Sequence, residues 1–242
     1  MSSLFQLGKQ SVIYGFGHFI TRFINFLLLP LYTHRLAPEE YGVVSLIYAF
    51  IAFTNILFTH GMDTAYMRFQ GMEKTEKNKR TIFSTSFIWL LLSTLLLGSL
   101  MYFLSQNLAQ FTVGGKYTNL IQLAVGILVF DTLIALPKVL LRLENKPYRF
   151  IFLELIHVSI VLGLNVWWIG FLHLDIEHIF ISNLIASGAV FLLVVPTILK
   201  SIEFRFNAHW WNELFIFALP YIPAGMASIL NELIDRYMIK WL

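Results

Sequence analysis

The 242-residue chain is 57% hydrophobic and only 13% charged, about half the ~25% charged share usual in soluble domains. That balance, with a mean hydropathy of +0.71, excludes a soluble globular domain, which needs far more polar surface. The lack of cysteine excludes disulfide frameworks and thiolate zinc sites, and the net charge of +3 is accounted for by short loops, so no nucleic-acid partner is expected.

A helix crosses a bilayer with about 20 apolar residues. The sequence predicts seven such helices, at 11–33, 43–67, 81–105, 119–141, 149–172, 177–199 and 211–232. The expected fold is therefore an all-α, polytopic membrane bundle whose first partner is the lipid bilayer. The first helix is not a cleavable signal peptide, because it is too long, carries Arg22 in its middle and lacks a small-x-small site.

Charge sets the orientation. Lys9 precedes the first helix, and Arg68, Lys74, Lys77, Lys79 and Arg80 follow the second. Lys138, Arg142, Lys146 and Arg149 are read as a cluster at the connection after the fourth, and Lys200 and Arg205 follow the sixth. That side holds 12 of the 17 Lys and Arg, against Arg35, Lys116, Arg236 and Lys240 on the other. Basic excess marks the cytoplasmic side, so the N-terminus is expected inside. Trp167, Trp168, Trp210, Trp211, Tyr117 and Tyr148 fall at helix ends, as an interfacial aromatic belt requires.

The longest polar stretch, Gly71 to Arg80, is short, and short loops join antiparallel neighbours into one bundle. Pro30, Pro137, Pro196, Pro220 and Pro223 lie within or beside the spans, where they bend helices, as in the broken helices of transporters. No GxSxG, HExxH or Walker-type motif occurs, so no catalytic residue and no cofactor is expected. Gly15-Phe16-Gly17 begins a dinucleotide fingerprint but fails at Ile20, and its glycines suit close helix approach. His173, Asp175, Glu177 and His178 match no standard metal spacing and read as a solvated loop.

Ionisable groups at membrane depth are costly and usually functional. Arg22 lies about eleven residues from each end of the first helix, too deep for a short snorkel. Asp131 lies at comparable depth in the fourth helix. Glu154 and His157 share a face of the fifth by their i, i+3 spacing, and Asp63 and Arg68 end the second. Arg22 pairs with Asp131 and fixes helix docking, or faces a cavity and binds an anion, or does both, the pair opening when substrate arrives. A guanidinium fork suits two phosphate oxygens.

The segments LLLPLYTHRLAPEEYGVVSL (Leu27–Leu46), HGMDTAYMRF (His60–Phe69), LLRLENKPYRF (Leu140–Phe150) and LPYIPAGMASILNELIDRYMIKWL (Leu219–Leu242) together resemble the N-terminal half of bacterial O-antigen-type polysaccharide-lipid flippases. These belong to the multidrug, oligosaccharidyl-lipid and polysaccharide exporter superfamily. The resemblance implies two lobes of six or seven helices around a cavity that opens alternately to each side. Residues 1–205 then read as the N-terminal lobe and 206–242 as the first helix of the second lobe, with the chain truncated and the missing C-terminal lobe expected from the same full-length chain, or else from another chain with which this half assembles.

The expected function is a flippase of the bacterial inner membrane, moving polyprenyl-diphosphate-linked oligosaccharide outward for cell-surface polysaccharide, such as lipopolysaccharide. Arg22, and more weakly Arg236, would bind the diphosphate, while Asp131 and Glu154 are candidates for proton or sodium coupling. A cation-coupled multidrug antiporter shares the fold but should place acids where Arg22 stands. A membrane glycosyltransferase, with Glu39-Glu40 as its acidic site, would need larger outer loops than these.

Overall fold

The computed structural model describes residues 26–241, with side chains described up to residue 231. Every regular element among them is helical. Helix α1 covers 26–35, followed by α2 (Pro38–Thr59), α3 (Met62–Met72), α4 (Glu76–Phe103), α5 (Ser105–Val113), α6 (Thr118–Leu143) and α7 (Pro147–Asn165). A π-helical turn, Val166–Phe171, extends α7, and α8 (Glu177–Ser201), α9 (Ala208–Ala218) and α10 (Tyr221–Trp241) complete the chain. Six helices among the described residues are long and apolar enough to span a membrane, counting α7 with its π turn and α9 with the start of α10 as one each. The expected first span lies mostly outside the described residues.

Local chemistry sets the ends. Pro38 and Pro147 occupy first-turn positions, where a missing N–H costs nothing and φ is already helical. Asn207 caps α9 by accepting from the backbone N–H groups of His209 and Trp210, which satisfies two otherwise orphaned donors. Glu73 accepts from the backbone of Lys74 and Thr75 and from Asn78, tying α3 to α4. These donors hold its carboxyl below the usual carboxylate range, because they favour the charged form.

Two expected helices are broken, and one was missed. The run expected over 43–67 ends at Thr59, because His60 (φ 36°) and Gly61 (φ 73°) turn left-handed before α3 resumes. The apolar pattern passes through this point unchanged, so periodicity gave no warning. The run over 211–232 breaks between Ala218 and Tyr221, where Pro220 has no N–H to continue the ladder. Pro137 and Pro196, by contrast, lie inside continuous helices. The half-polar segment SQNLAQFTV forms α5, too short to span and packed on α6 and α2.

Helix α6 is the most deeply buried span and the centre of the bundle, meeting α2, α3, α4, α5, α7 and α8. Its Gly126 lets Leu184 of α8 approach to where a Cβ would stand only 3.0 Å away, the small-residue contact that brings membrane helices together. The apolar interior divides into two clusters. One gathers Leu133 to Leu141 of α6 with Tyr66, Phe83 and Leu214. The other gathers Leu120 to Ile127 of α6 with Leu28, Ile47 and Phe180. In lipid there is no hydrophobic drive between helices, so packing and interhelical hydrogen bonds hold such layers, at about 0.6–2 kcal/mol per bond. Buried Asn165 supplies two, accepting from Tyr32 of α1 at 2.9 Å and donating to Ser182 of α8, and it also donates to the Val161 carbonyl of its own helix.

The tryptophans divide. Trp167 is 58% exposed, as an interfacial ring should be. Trp211 instead packs on Trp89 at 5.1 Å and Trp210 on Phe69 at 6.3 Å, so the start of α9 is anchored to α3 and α4.

Candidate functional site

The boundary between the two apolar clusters is polar. On α6, Asp131 falls between Ile127 of one cluster and Leu133 of the other; on α7, His157 falls between Leu153 and Val161; on α8, Ser187 falls between Ala186 and Val190. These three residues meet. The Ser187 hydroxyl donates to Asp131 at 2.7 Å, and its oxygen lies 3.4 Å from His157 Nε2. Ser187 is fully buried. A contact between charged or strongly polar groups at this depth is expensive unless each is partnered.

A second pair extends the seam. Lys138 Nζ lies 2.8 Å from Glu154 Oε1, with the side chains 24% and 16% exposed. Helices α6 and α7 run antiparallel, so Asp131 stands level with His157, and Lys138, two turns further along α6, meets Glu154, one turn before His157. The expectation that Lys138 belongs to the basic connection after the fourth span is corrected here. It sits inside α6, and its long stem delivers the ammonium to a carboxylate rather than to solvent.

The seam holds two carboxylates and one fixed cation among the described residues. Glu154 is neutralised by Lys138. Asp131 has a hydroxyl and an imidazole but no lysine or arginine, so one negative charge awaits a proton, an alkali cation or a guanidinium.

Of the expected site residues, the structure brings Asp131 and Glu154 into one seam. Arg22 lies outside the described residues, and with it the proposed Arg22–Asp131 pair. Arg236 falls in α10, beyond the described side chains. Ser187 and Lys138 were missed as site residues. The signal for Lys138 was its spacing of seven from Asp131, two turns on one helical face; a serine in an apolar span such as IASGAVF gives little to distinguish it.

The loop histidines are engaged elsewhere. His173 Nε2 meets the Arg35 guanidinium, and His178 packs edge-on against Trp168 at 5.4 Å. Among the described residues no group of three metal-ligating side chains converges. Arg68 lies over the Phe217 ring at 4.4 Å, tying α3 to α9 through a cation–π contact.

A family model described as polysaccharide biosynthesis protein matches residues 35–242. Among solved structures, the fold is similar to an outward-facing multidrug resistance MATE family transporter of the MOP superfamily, with TM-score 0.72 and 14% identity, over 96% of this chain and 54% of that one. It is similar also to a MOP superfamily transporter from Pyrococcus furiosus, whose binding pocket is described as reversed in polarity, with TM-score 0.71 and 14% identity over 95% and 54%. A MATE protein in complex with MaD3S gives 0.73 and 15% over 96% and 55%. No curated protein matches the sequence. The chain thus spans about half the length of the solved transporters it resembles.

Proposed function

The chain belongs to the polysaccharide biosynthesis protein family, and from that premise we propose that it forms the N-terminal lobe of a membrane flippase for lipid-linked oligosaccharide. The observation that carries this reading is the charged seam at mid-depth of an otherwise apolar lobe, with Asp131 lacking a fixed counter-cation among the described residues. A static bundle has little use for a buried carboxylate whose partners among the described residues are a hydroxyl and an imidazole; a transporter that couples substrate movement to an ion does.

In this reading residues 1–205 make the first lobe and 206–242 the first helix of a second, whose remaining helices come from the same full-length chain or another one. The substrate is a polyprenyl-diphosphate-linked oligosaccharide, carried from the cytoplasmic to the outer leaflet of a bacterial inner membrane. Its sugar head cannot cross hydrocarbon alone, because each polar group would lose its hydrogen bonds. A polar cavity between lobes shelters the head while the lipid tail stays in the bilayer. Arg22 attracts the diphosphate, with Arg236 as a weaker contributor. Asp131 binds the coupling proton or sodium ion, and Glu154, already paired with Lys138, tunes it. With the cell interior negative, outward movement of an anion gains about 2.3 kcal/mol per charge per 100 mV, which favours export. No bond is made or broken, so no catalytic residue is assigned.

The second reading is a cation-coupled multidrug antiporter. The resemblance in fold to multidrug transporters and the buried carboxyl of Asp131, with no lysine or arginine paired to it among the described residues, favour it. The two separate on substrate charge, and one experiment addresses both. Arg22→Ala, Asp131→Ala and the double variant are introduced into the complete transporter, and expression, surface glycan and extrusion of a cationic dye are measured. Loss of glycan export in both single variants and in the double, at normal expression, supports the flippase. Rescue of export in the double variant reduces Arg22 to a structural partner of Asp131. Unaltered glycan with lost dye extrusion in Asp131→Ala favours the antiporter.

A further inference from the structure

A cavity of about 220 Å³ opens at the end of the bundle where α4 and α7 begin and α8 finishes. It shares no lining residue with the polar seam. Five cations border it from three sides: Lys79 and Arg80 on α4, Lys146 and Arg149 at the start of α7, and Lys200 on α8. Only two carboxylates, Glu76 and Glu144, join them, which leaves an excess of three positive charges. Glu76 is taken by Lys79 at 2.7 Å, Glu144 by Lys146 at 2.6 Å, and Arg80 reaches Glu203 outside the cavity at 3.9 Å. Arg149 and Lys200 have no acidic partner among the described residues.

The deep wall supplies an independent sign. Gln70 is 8% exposed and lines the cavity, while its Oε1, tucked into the wall behind the cavity surface, has no hydrogen-bond partner. An unmatched buried acceptor is costly, and few natural groups are left so. A solvated basic face, the ordinary outcome of charge bias near a membrane surface, would not converge on a concavity with an orphaned amide in its wall.

We propose that this cavity binds a phosphate group that carries a hydroxyl, with Arg149 and Lys200 on the phosphate oxygens and the Gln70 amide, turned so that its Oε1 enters the cavity, accepting from the hydroxyl. Arginine grips two oxygens at once and lysine adds a mobile point charge. The volume suits that ligand. At ~30 Å³ per water, the space equals about seven waters: room for a phosphate and a small substituent. Two sources share this chemistry: hydrogen phosphate itself, and the phosphoglycerol headgroup of an anionic lipid in the adjacent leaflet. The site does not depend on the direction or substrate of transport.

The test uses the whole chain purified in detergent and in nanodiscs. Binding of inorganic phosphate is followed by calorimetry, and retention of phosphatidylglycerol against phosphatidylcholine by native mass spectrometry. Arg149→Gln/Lys200→Gln alters two exposed rim residues, so folding is preserved; it should weaken binding about tenfold or more, as expected for losing two charge-assisted contacts. Lys74→Gln/Lys77→Gln removes the same charge from exposed positions outside the cavity and should leave binding unchanged. Gln70→Leu, which changes no charge, should weaken binding severalfold. Phosphate binding alone identifies a soluble ligand, and selective retention of phosphatidylglycerol identifies the lipid. Absence of both, or equal loss in the two double variants, overturns the site.

Discussion

Lys138 and Glu154 offer the sharpest test of the seam. Lys138→Met keeps the length of the stem but strands the Glu154 carboxylate between α6 and α7. Breaking a buried ion pair from one side typically costs ~3–5 kcal/mol. The two side chains retain 24% and 16% exposure, so the low end applies, about 3 kcal/mol. Glu154→Gln strands the ammonium and should cost a similar amount, whereas Lys138→Met/Glu154→Gln leaves no unpaired charge and should cost about 1 kcal/mol, since replacing both partners of a pair is often close to neutral. For a chain of this size, each kcal/mol shifts the unfolding midpoint by roughly 2–4 °C, so each single variant should lose about 6–12 °C and the double far less. Tryptophan fluorescence during heating of the four proteins in one detergent reads this directly. If the double variant loses as much as the two singles together, the pair contributes no coupling, and the assignment of Glu154 as a neutralised residue fails.

Two further outcomes follow from the fold. Gly61→Ala places a Cβ 2.7 Å from both the Ala218 carbonyl oxygen and Tyr221 Cβ, at a φ that itself costs an L-residue ~1–2 kcal/mol. It should destabilise the protein by about 2–4 kcal/mol in all, within the range for backbone strain plus overpacking, while Gly42→Ala, inside α2 with open space around it, should be neutral or stabilise by up to about 1 kcal/mol in the same melt. For orientation, reporter fusions after Lys77, Lys146 and Lys200 should read as cytoplasmic, and those after Lys116 and Asp175 as external; a cytoplasmic signal at Lys116 would refute both the span count and the orientation.

The spans were legible because hydrocarbon sets a length and a composition, and segments such as 119–141 and 177–199 meet both with little else in them. The ends set by Pro147 and Asn207 were not legible, since apolar length alone places those spans from 149 and 211, two and three residues inside the helix starts at Pro147 and Ala208. Nor was the break at His60–Gly61, since a left-handed pair leaves the apolar pattern on either side untouched. Helix α5 escaped because its half-polar face matches neither a span nor a loop. At the site, Asp131 and the shared face of Glu154 and His157 could be read from depth and spacing. Their partners could not: whether Lys138 turns to a carboxylate or to solvent is decided by the antiparallel packing of α6 on α7, and the fully buried hydroxyl of Ser187 becomes informative only once α8 lies against Asp131.

The two interrupted helices meet at their interruptions: Gly61, between α2 and α3, lies directly against Ala218 and Tyr221, between α9 and α10. Mechanically this is an elbow seated on an elbow. On the far side of it, α10 is 21 residues long, a lever of about 31 Å at 1.5 Å per residue. A bend of only ~10° at the seat therefore carries the lever's tip through about 5 Å, close to one full helical pitch, while the residues at the fulcrum move by less than a bond length. With no Cβ at position 61, the Ala218 carbonyl oxygen and Tyr221 Cβ sit directly on the Gly61 backbone, and a methyl group there would act as a wedge in the joint.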